Sequence, residues 1–390
     1  MARQIRVGID IGTYQVKVMI AEALSPKERL MPRVLGTGFA ESKGLRHGYI
    51  INVRDAAKSI RSAVRQAEKM ADVEVKKAYL AIGGIGLGAV VSSGSTMITK
   101  ADGEVSALDI EQALASSENE IPRPLIINRK IIHTVPLQYK IDGISTLGKA
   151  EGLKGSKLEV KTLFITCLEH HINDLVQAAE EAGIQVEDVI AAPIAASMVT
   201  LTKLQKVAGC ALANIGAETV SISVFENNLP VSLEVFPIGS NDITNDIALG
   251  LKIPLEEAEV IKVHNLNNSP YSKKKIEEII GARLSDIFEL IEAHLKKIGR
   301  NGLLPAGIVI TGGGAGLTEI DNFAKLSLNI PSRVGIVHVP VAKNTIKDAT
   351  WAVVYGLTII GFTSGEDDST GLTFLKTKKS IVNWFRQFLP

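Results

Sequence analysis

The sequence predicts an α/β protein of two related lobes with a cleft between them, an inserted α+β subdomain and a C-terminal amphipathic helix. Three stretches carry this. Ile5–Ala21 alternates apolar residues, breaks at Gly12-Thr13 and alternates again through Val16, Val18 and Ile20, which reads as a hairpin. Gly209–Phe225 repeats it at constant offset: Asn214 falls on Asp10, Ile215 on Ile11, Gly216 on Gly12, and Val220 and Ile222 on Val16 and Val18. Gly307–Leu317 runs from an apolar strand into Thr311-Gly312-Gly313-Gly314, and a helix-like segment follows from Leu317.

Each stretch points to the same ligand chemistry. A glycine in a tight turn lets backbone N–H groups approach an anion closely. Gly12, Thr13 and Tyr14 form one such turn, with Asp10 placed to orient a magnesium shell and Lys17 to face a phosphate. Gly216, Ala217, Glu218 and Thr219 form the second. A supersecondary unit that occurs twice implies two related domains, and two such turns on one cleft make a nucleotide site. Glycines at a strand end admit a flat base or ribose. Read singly, the first turn is equally an ordinary surface hairpin, and the glycine run a flexible loop.

In chain order, Val34–Glu41 reads as a strand, and Gly44 and Gly48 mark a turn. Asn52 is placed to cap a helix running to about Met70, with Ala56, Ile60, Ala63, Val64 and Ala67 on one face. Lys76–Ile82 returns to the sheet. The pattern then breaks at Gly83, Gly84, Gly86 and Gly88. Strands near Ala89–Ser93, Lys130–Lys140 and Leu158–Ile165 and a helix near Ser106–Glu118 read as an insert. Asn173–Ala182 reads as a helix, Asp188–Ala192 as a strand, and Pro193 starts a helix through Leu201. After the second hairpin, Pro237-Ile-Gly239 leads into a helix from Asp242 to Leu251, and Pro254–His264 forms another. Asn265–Lys275 is a polar loop and Lys275–Ile298 a long amphipathic helix, whose Arg283, Lys296 and Lys297, with Arg300 beyond, read as a solvated face. The expected division is 1–84 and 162–206 for the first lobe, 85–161 for the insert, 207–250 and 303–361 for the second lobe, 251–302 for a helical subdomain, 362–376 for a linker and 377–390 for a terminal helix.

That terminal stretch carries its own chemistry. Ile381, Val382, Phe385, Phe388 and Leu389 fall on one helical face, with Trp384 at its edge. Lys376, Lys378, Lys379 and Arg386 supply positive charge, each worth about 1 kcal/mol near an anionic bilayer. Such a helix lies on a membrane rather than crossing it. Docking on the protein's own core is the alternative, and the Gly, Ser, Asp and Glu residues of Thr363–Thr370 favour a tethered element.

Composition excludes several classes. The 390 residues carry 43 basic and 42 acidic side chains, so the net charge of +1 argues against non-specific nucleic-acid binding. Cys167 and Cys210 match no metal or redox spacing and read as buried thiols. MARQIRV enters a strand at once, without a secretory pattern, and the apolar run near Trp351–Phe362 is too short to span a bilayer. A cytoplasmic location is expected.

Phosphate turn, second phosphate turn and glycine-rich loop, in that order, resemble the actin-like ATPase superfamily. Gly44–Glu68, Pro237–Lys262 and Val309–Leu317 resemble, more closely, the FtsA family of bacterial cell-division proteins. The resemblance covers nearly the whole chain and implies duplicated ribonuclease-H-like domains binding ATP or ADP with Mg2+. It adds Gly239, Asp242 and Leu317 to the site and implies that Glu259 and Lys262 approach the ribose and adenine; an exposed i,i+3 pair is the other reading of those two. It further implies docking of the FtsZ C-terminal tail on the helical subdomain and self-association into filaments. Contacts of the insert with other division proteins, and peripheral attachment to the cytoplasmic face of the cell membrane at the septum, follow from it too. An actin-like pilus-assembly platform and a small-molecule kinase of the same fold are the alternatives.

Three departures bear on hydrolysis. Asn214 replaces the Asp usual in the superfamily and lacks the charge that helps order magnesium. Glu218 brings a carboxylate towards phosphates, a Coulombic cost unless it faces away or meets a cation. Ala192 stands before Pro193, where several relatives place a Glu or Gln, so no general base is evident there. Weak or absent ATP hydrolysis is expected.

Overall fold

A computed structural model of the chain describes residues 4–25, 28, 31–264, 271–341 and 344–364. The predicted linker beyond 364, the terminal helix 377–390 with its membrane-binding residues, and 265–270 of the polar loop lie outside the described residues.

The chain opens with β1 (Gln4–Ile11), β2 (Gln15–Ala23) and β3 (Arg33–Glu41), then a small hairpin of β4 (Leu45–Arg46) and β5 (Tyr49–Ile50). Helix α1 (Val53–Ala71) starts where expected: the Asn52 side chain accepts the Asp55 amide, a cap worth about 1 kcal/mol. Its Ala56, Ile60, Ala63, Val64 and Ala67 are buried. Strand β6 (Lys77–Ile82) leads into the insert: β7 (Leu87–Met97), α2 (Ala107–Asn119), α3 (Arg123–Ile126), β8 (Arg129–Ile141), β9 (Ile144–Ser145) and β10 (Lys157–Leu168). After α4 (Glu169–Glu181), β11 (Gln185–Ala191), α5 (Ala192–Thr200) and α6 (Lys203–Ala208), the second hairpin is β12 (Cys210–Ile215) and β13 (Val220–Glu226), continued by β14 (Leu229–Phe236). Three helices follow, α7 (Ser240–Leu251), α8 (Leu255–His264) and α9 (Lys273–Lys297). The chain then runs through β15 (Ile308–Thr311), a 3-10 turn at Gly313–Gly316, α10 (Ile320–Leu328), β16 (Ser332–Val334), β17 (His338–Val341), β18 (Asn344–Lys347) and α11 (Ala352–Ser364).

The duplication is explicit in the sheets. The first runs β11-β6-β1-β2-β3-β17-β18 and the second β14-β13-β12-β15-β16. Read from β11 and from β16, both place two parallel neighbours, a central strand and then two antiparallel ones. Strands β1 and β12 are therefore equivalent, and their turns emerge at equivalent edges. Gly12 N donates to Gln15 O at 3.2 Å, and Gly216 N to Thr219 O at 2.8 Å.

Two expected boundaries move. Strand β10 pairs with β7 and β8 along its whole length from Lys157 to Leu168. It belongs to the insert's β7-β10-β8-β9 sheet, so the lobe resumes at 169 rather than 162. Residues 338–364 return to the first lobe: β17 joins β3, and α11 packs against β1, β2 and α5. Helix α5 touches β12 and β13 of the second lobe and packs against α11. A side chain at Gly356 would strike the Ala195 carbonyl, so the two backbones touch. The second core joins the β12–β15 strands to α7–α10 through Ile243, Ile247, Phe288 and Ile291. Arg283 pairs with Asp246 through two nitrogens, at 2.7 and 3.1 Å, and Arg300 with Glu226, so neither belongs to a purely solvated face.

Candidate functional site

The three glycine-bearing stretches converge. Thr311, at the end of β15, donates its hydroxyl to Ala349 O at 2.9 Å. The next residue, Gly312, adopts φ +87, and a Cβ there would meet Asn214 Oδ1 and, at 2.5 Å, Ile215 O. Gly314 rests against the Ile215 side chain. Gly313 differs: a Cβ built on it meets nothing within 4 Å, as does one on Gly316. The loop thus presses Gly312 and Gly314 on the second hairpin and leaves Gly313 facing open space. Leu317 is 9% exposed and closes the 3-10 turn, its amide on Gly314 O at 3.2 Å. The helix expected from Leu317 begins only at Ile320.

Asp10 and Lys17 are register partners across the first hairpin. Burial lifts the Asp10 carboxyl to about 6 against the pull of Lys17. Burial lowers Lys17, opposed by Asp10 and by Asp348. Asp10 and Asp348 thus both act electrostatically on Lys17. Asp348, which also accepts the Thr350 amide at 2.8 Å, is a site residue that sequence reasoning missed. No local spacing links it to Lys17 across more than three hundred residues. A carboxylate held in this desolvated state gains from a nearby divalent cation, so Asp10 fits the outer shell of a hydrated Mg2+. Among the described residues no cluster of three or more His, Cys, Asp or Glu side chains could hold an ion directly. Thr13 is partly buried and Tyr14 is 62% exposed.

The second turn is braced by α7. Ser240 N donates to Gly216 O at 2.9 Å and Asn241 N to Ala217 O at 2.8 Å, while Asp242 accepts the Gly239 amide at 2.8 Å. Asn214 faces Ser221 in register, where the first hairpin has Asp10 and Lys17, so this turn lacks the charged pair. The Glu218 side chain points away from the turn. Its Oε2 accepts the His47 amide at the tip of the β4–β5 hairpin, on the other lobe.

Glu259 and Lys262 do meet, at 2.6 Å. The ammonium is buried, so they are not an exposed pair. Lys262 donates to Ser240 O at 3.1 Å and to Thr244 Oγ1 at 2.7 Å, and Thr244 donates to Glu259. Both side chains bond to α7, and the Glu259 carboxylate stays partly exposed.

Comparison with known proteins now adds the lineage. The profile described as cell division protein FtsA matches residues 211–356, and that of the SHS2 domain inserted in FtsA matches 87–166, which spans β7 to β10. The cell division protein FtsA of Neisseria meningitidis serogroup B (strain ATCC BAA-335 / MC58) is 30% identical over 349 residues, covering 84% of this chain and 82% of that protein. The chain belongs to the FtsA family. Among solved structures, that of the PilM-PilN type IV pilus biogenesis complex superposes with TM-score 0.68 at 17% identity, over 92% of this chain and 98% of the other. MreB 5 of Spiroplasma citri, bound to AMPPNP, gives 0.55 at 13% identity, over 95% and 99%. Both show the shared actin-like fold. Family membership favours cell division over the pilus-platform and kinase readings.

Proposed function

We propose that this FtsA-family protein holds an adenine nucleotide, ATP or ADP with Mg2+, between its two phosphate turns and tethers an FtsZ ring to the inner face of the membrane. The observation that carries the nucleotide reading is the equivalence of the β1–β2 and β12–β13 turns, with Gly313 open beside them. Backbone groups of Gly12–Tyr14 and Gly216–Thr219 would receive phosphates. Asp10 would orient the metal's water shell, and Gly312–Gly314 would take the base or ribose. Bound magnesium supplies charge neutralisation at the phosphates. Asn214, the diverted Glu218 and the buried, non-basic Ala192 leave hydrolysis without an evident base, so the nucleotide acts as a structural ligand setting the interlobe angle.

The partners follow from the family: the FtsZ C-terminal tail on the helical subdomain of 251–302, which holds α8 and α9, other division proteins, and further copies of the chain in a filament. Attachment is peripheral, on the cytoplasmic side, through Lys378, Lys379, Ile381, Val382, Trp384, Phe385, Arg386, Phe388 and Leu389. Among the described residues no helix is long and apolar enough to cross a membrane. Co-sedimentation with vesicles of phosphatidylglycerol tests the tether. Full-length protein should pellet and carry FtsZ with it. Protein truncated at Lys376 should leave both in the supernatant, and equal pelleting would reject the reading.

A further inference from the structure

Residues 42–52 touch the first turn, the second turn and the crossings that lead into the insert. Their base is fixed to the first turn: Ser42 N donates to Tyr14 O at 3.0 Å and Ser42 Oγ to Gly12 O. Gly44 O then accepts the amides of Ile51 and Asn52, closing a hairpin whose tip, His47-Gly48, has φ +47 and +82. Two left-handed residues are what a two-residue type I′ turn requires, so the tip is stiff. At this tip the chain meets the second turn through Glu218 Oε2 on His47 N, with His47 Nδ1 3.4 Å from Glu218 O.

The same tip rests on the crossings that join the insert to the first lobe. His47 O accepts Ile85 N at 3.4 Å, and the Gly48 and Gly84 backbones are in contact. Tyr49 stacks on His170, ring centroids 5.9 Å apart, and meets His171 edge-on at 4.8 Å. His171 in turn reaches Gly83 O at 3.0 Å. The inbound and outbound crossings are tied by Leu168 N on Gly86 O at 3.2 Å, which Arg129 also engages at 2.7 Å. The insert's other footing is the second lobe, where β7, β8 and β10 pack against β14.

We propose that the β4–β5 hairpin is a lever that couples the position of the second turn to the orientation of the inserted subdomain, and that Glu218 is its releasable end. The base of the lever is anchored by several bonds on the first lobe. Its far end meets the second lobe through the Glu218 carboxylate on the His47 amide, with only the longer ring contact at 3.4 Å to the Glu218 carbonyl beside it, and that carboxylate is a group that a cation in the cleft can attract away. Motion of the second lobe therefore reaches the insert both at β14 and, through Glu218, at the crossings themselves. Glu218 acts here as a positioning residue, through His47.

The lever is testable on full-length protein without added nucleotide. Amide exchange reports local opening of the crossings. Spin labels on Leu147→Cys and Met70→Cys, both exposed, read the insert against α1, while the native Cys167 and Cys210 are buried. Glu218→Ala should accelerate exchange of 83–88 about tenfold or more, the range for losing a hydrogen bond to a charged group. It should also broaden the label distance, with strands 211–215 and 308–311 unchanged. Glu218→Gln, which keeps an acceptor, should fall between. Tyr49→Ala should loosen the insert while leaving exchange at 216–219 as in wild type. Unaltered exchange at 83–88 in Glu218→Ala, or acceleration spread equally over the core strands, would overturn the proposal.

Discussion

Asp10 and Lys17 face each other in register across the first hairpin, both partly buried, and Asp348 acts electrostatically on the same lysine. The Asp10 carboxyl is held at about 6, above its ordinary 3.8. The folded state thus binds this proton more tightly than the unfolded chain does. The stabilisation is fully present below pH 3.8 and is lost as pH rises through about 6. Two pKa units correspond to about 3 kcal/mol. The unfolding free energy of wild type should fall by that order relative to Asp10→Asn between pH 4 and 8, in urea titrations without magnesium. Adding Mg-ADP at pH 8 should recover stability in wild type and not in the variant.

The glycine loop separates folding from ligand binding. Gly312→Ala places a methyl against Asn214 and Ile215 at a positive φ, and should destabilise by about 2–4 kcal/mol. Gly313→Ala meets nothing, so thermal unfolding should change by less than about 0.5 kcal/mol. Calorimetry should nonetheless show at least a several-fold loss of nucleotide affinity for Gly313→Ala if the loop is the base or ribose site.

The insert's footing on the first lobe includes a buried histidine. His133 Nε2, on β8, accepts the Ala191 amide at 3.0 Å, just before α5. Burial depresses this imidazole from 6.5 to about 3. Its neutral form stabilises the fold above pH 6.5, and that contribution is lost as pH falls towards 3. From pH 7.5 to 5 the loss is about 2 kcal/mol. His133→Gln retains an acceptor without a titrating proton. Its unfolding midpoint in urea should therefore vary less over this range than that of wild type.

Hydrolysis should be slow. Single-turnover measurement with Mg-ATP should give a rate below about 1 s⁻¹, the lower end of the usual enzyme range. A faster rate would show that Asn214 and Ala192 do not remove the catalytic function.

The hairpins, α1 with its Asn52 cap and the glycine loop were legible because alternation, capping and turn chemistry act over a few neighbouring residues. The insert was legible as a break in pattern, but not where it ends: Lys157–Leu168 is one continuous strand, and nothing along it marks which sheet it joins. The return of β17 and α11 to the first lobe was hidden for the same reason, since a strand's sequence does not say which sheet edge it joins. The pairings Lys17 with Asp348 and Glu218 with His47 depend on how the lobes meet, which no local spacing encodes. The surface-pair alternative for Lys262 fails because its burial comes from α7, whose Thr244 and Ser240 lie 18 and 22 residues away.

The most direct measurement is a calorimetric titration of full-length protein with Mg-ATP and Mg-ADP, alongside a variant with Gly313→Val that crowds the loop. The account predicts one adenine nucleotide per chain for wild type and loss of the signal in the variant, with its unfolding temperature preserved. A wild-type chain that takes up no nucleotide, or a variant that binds it unchanged, would contradict it.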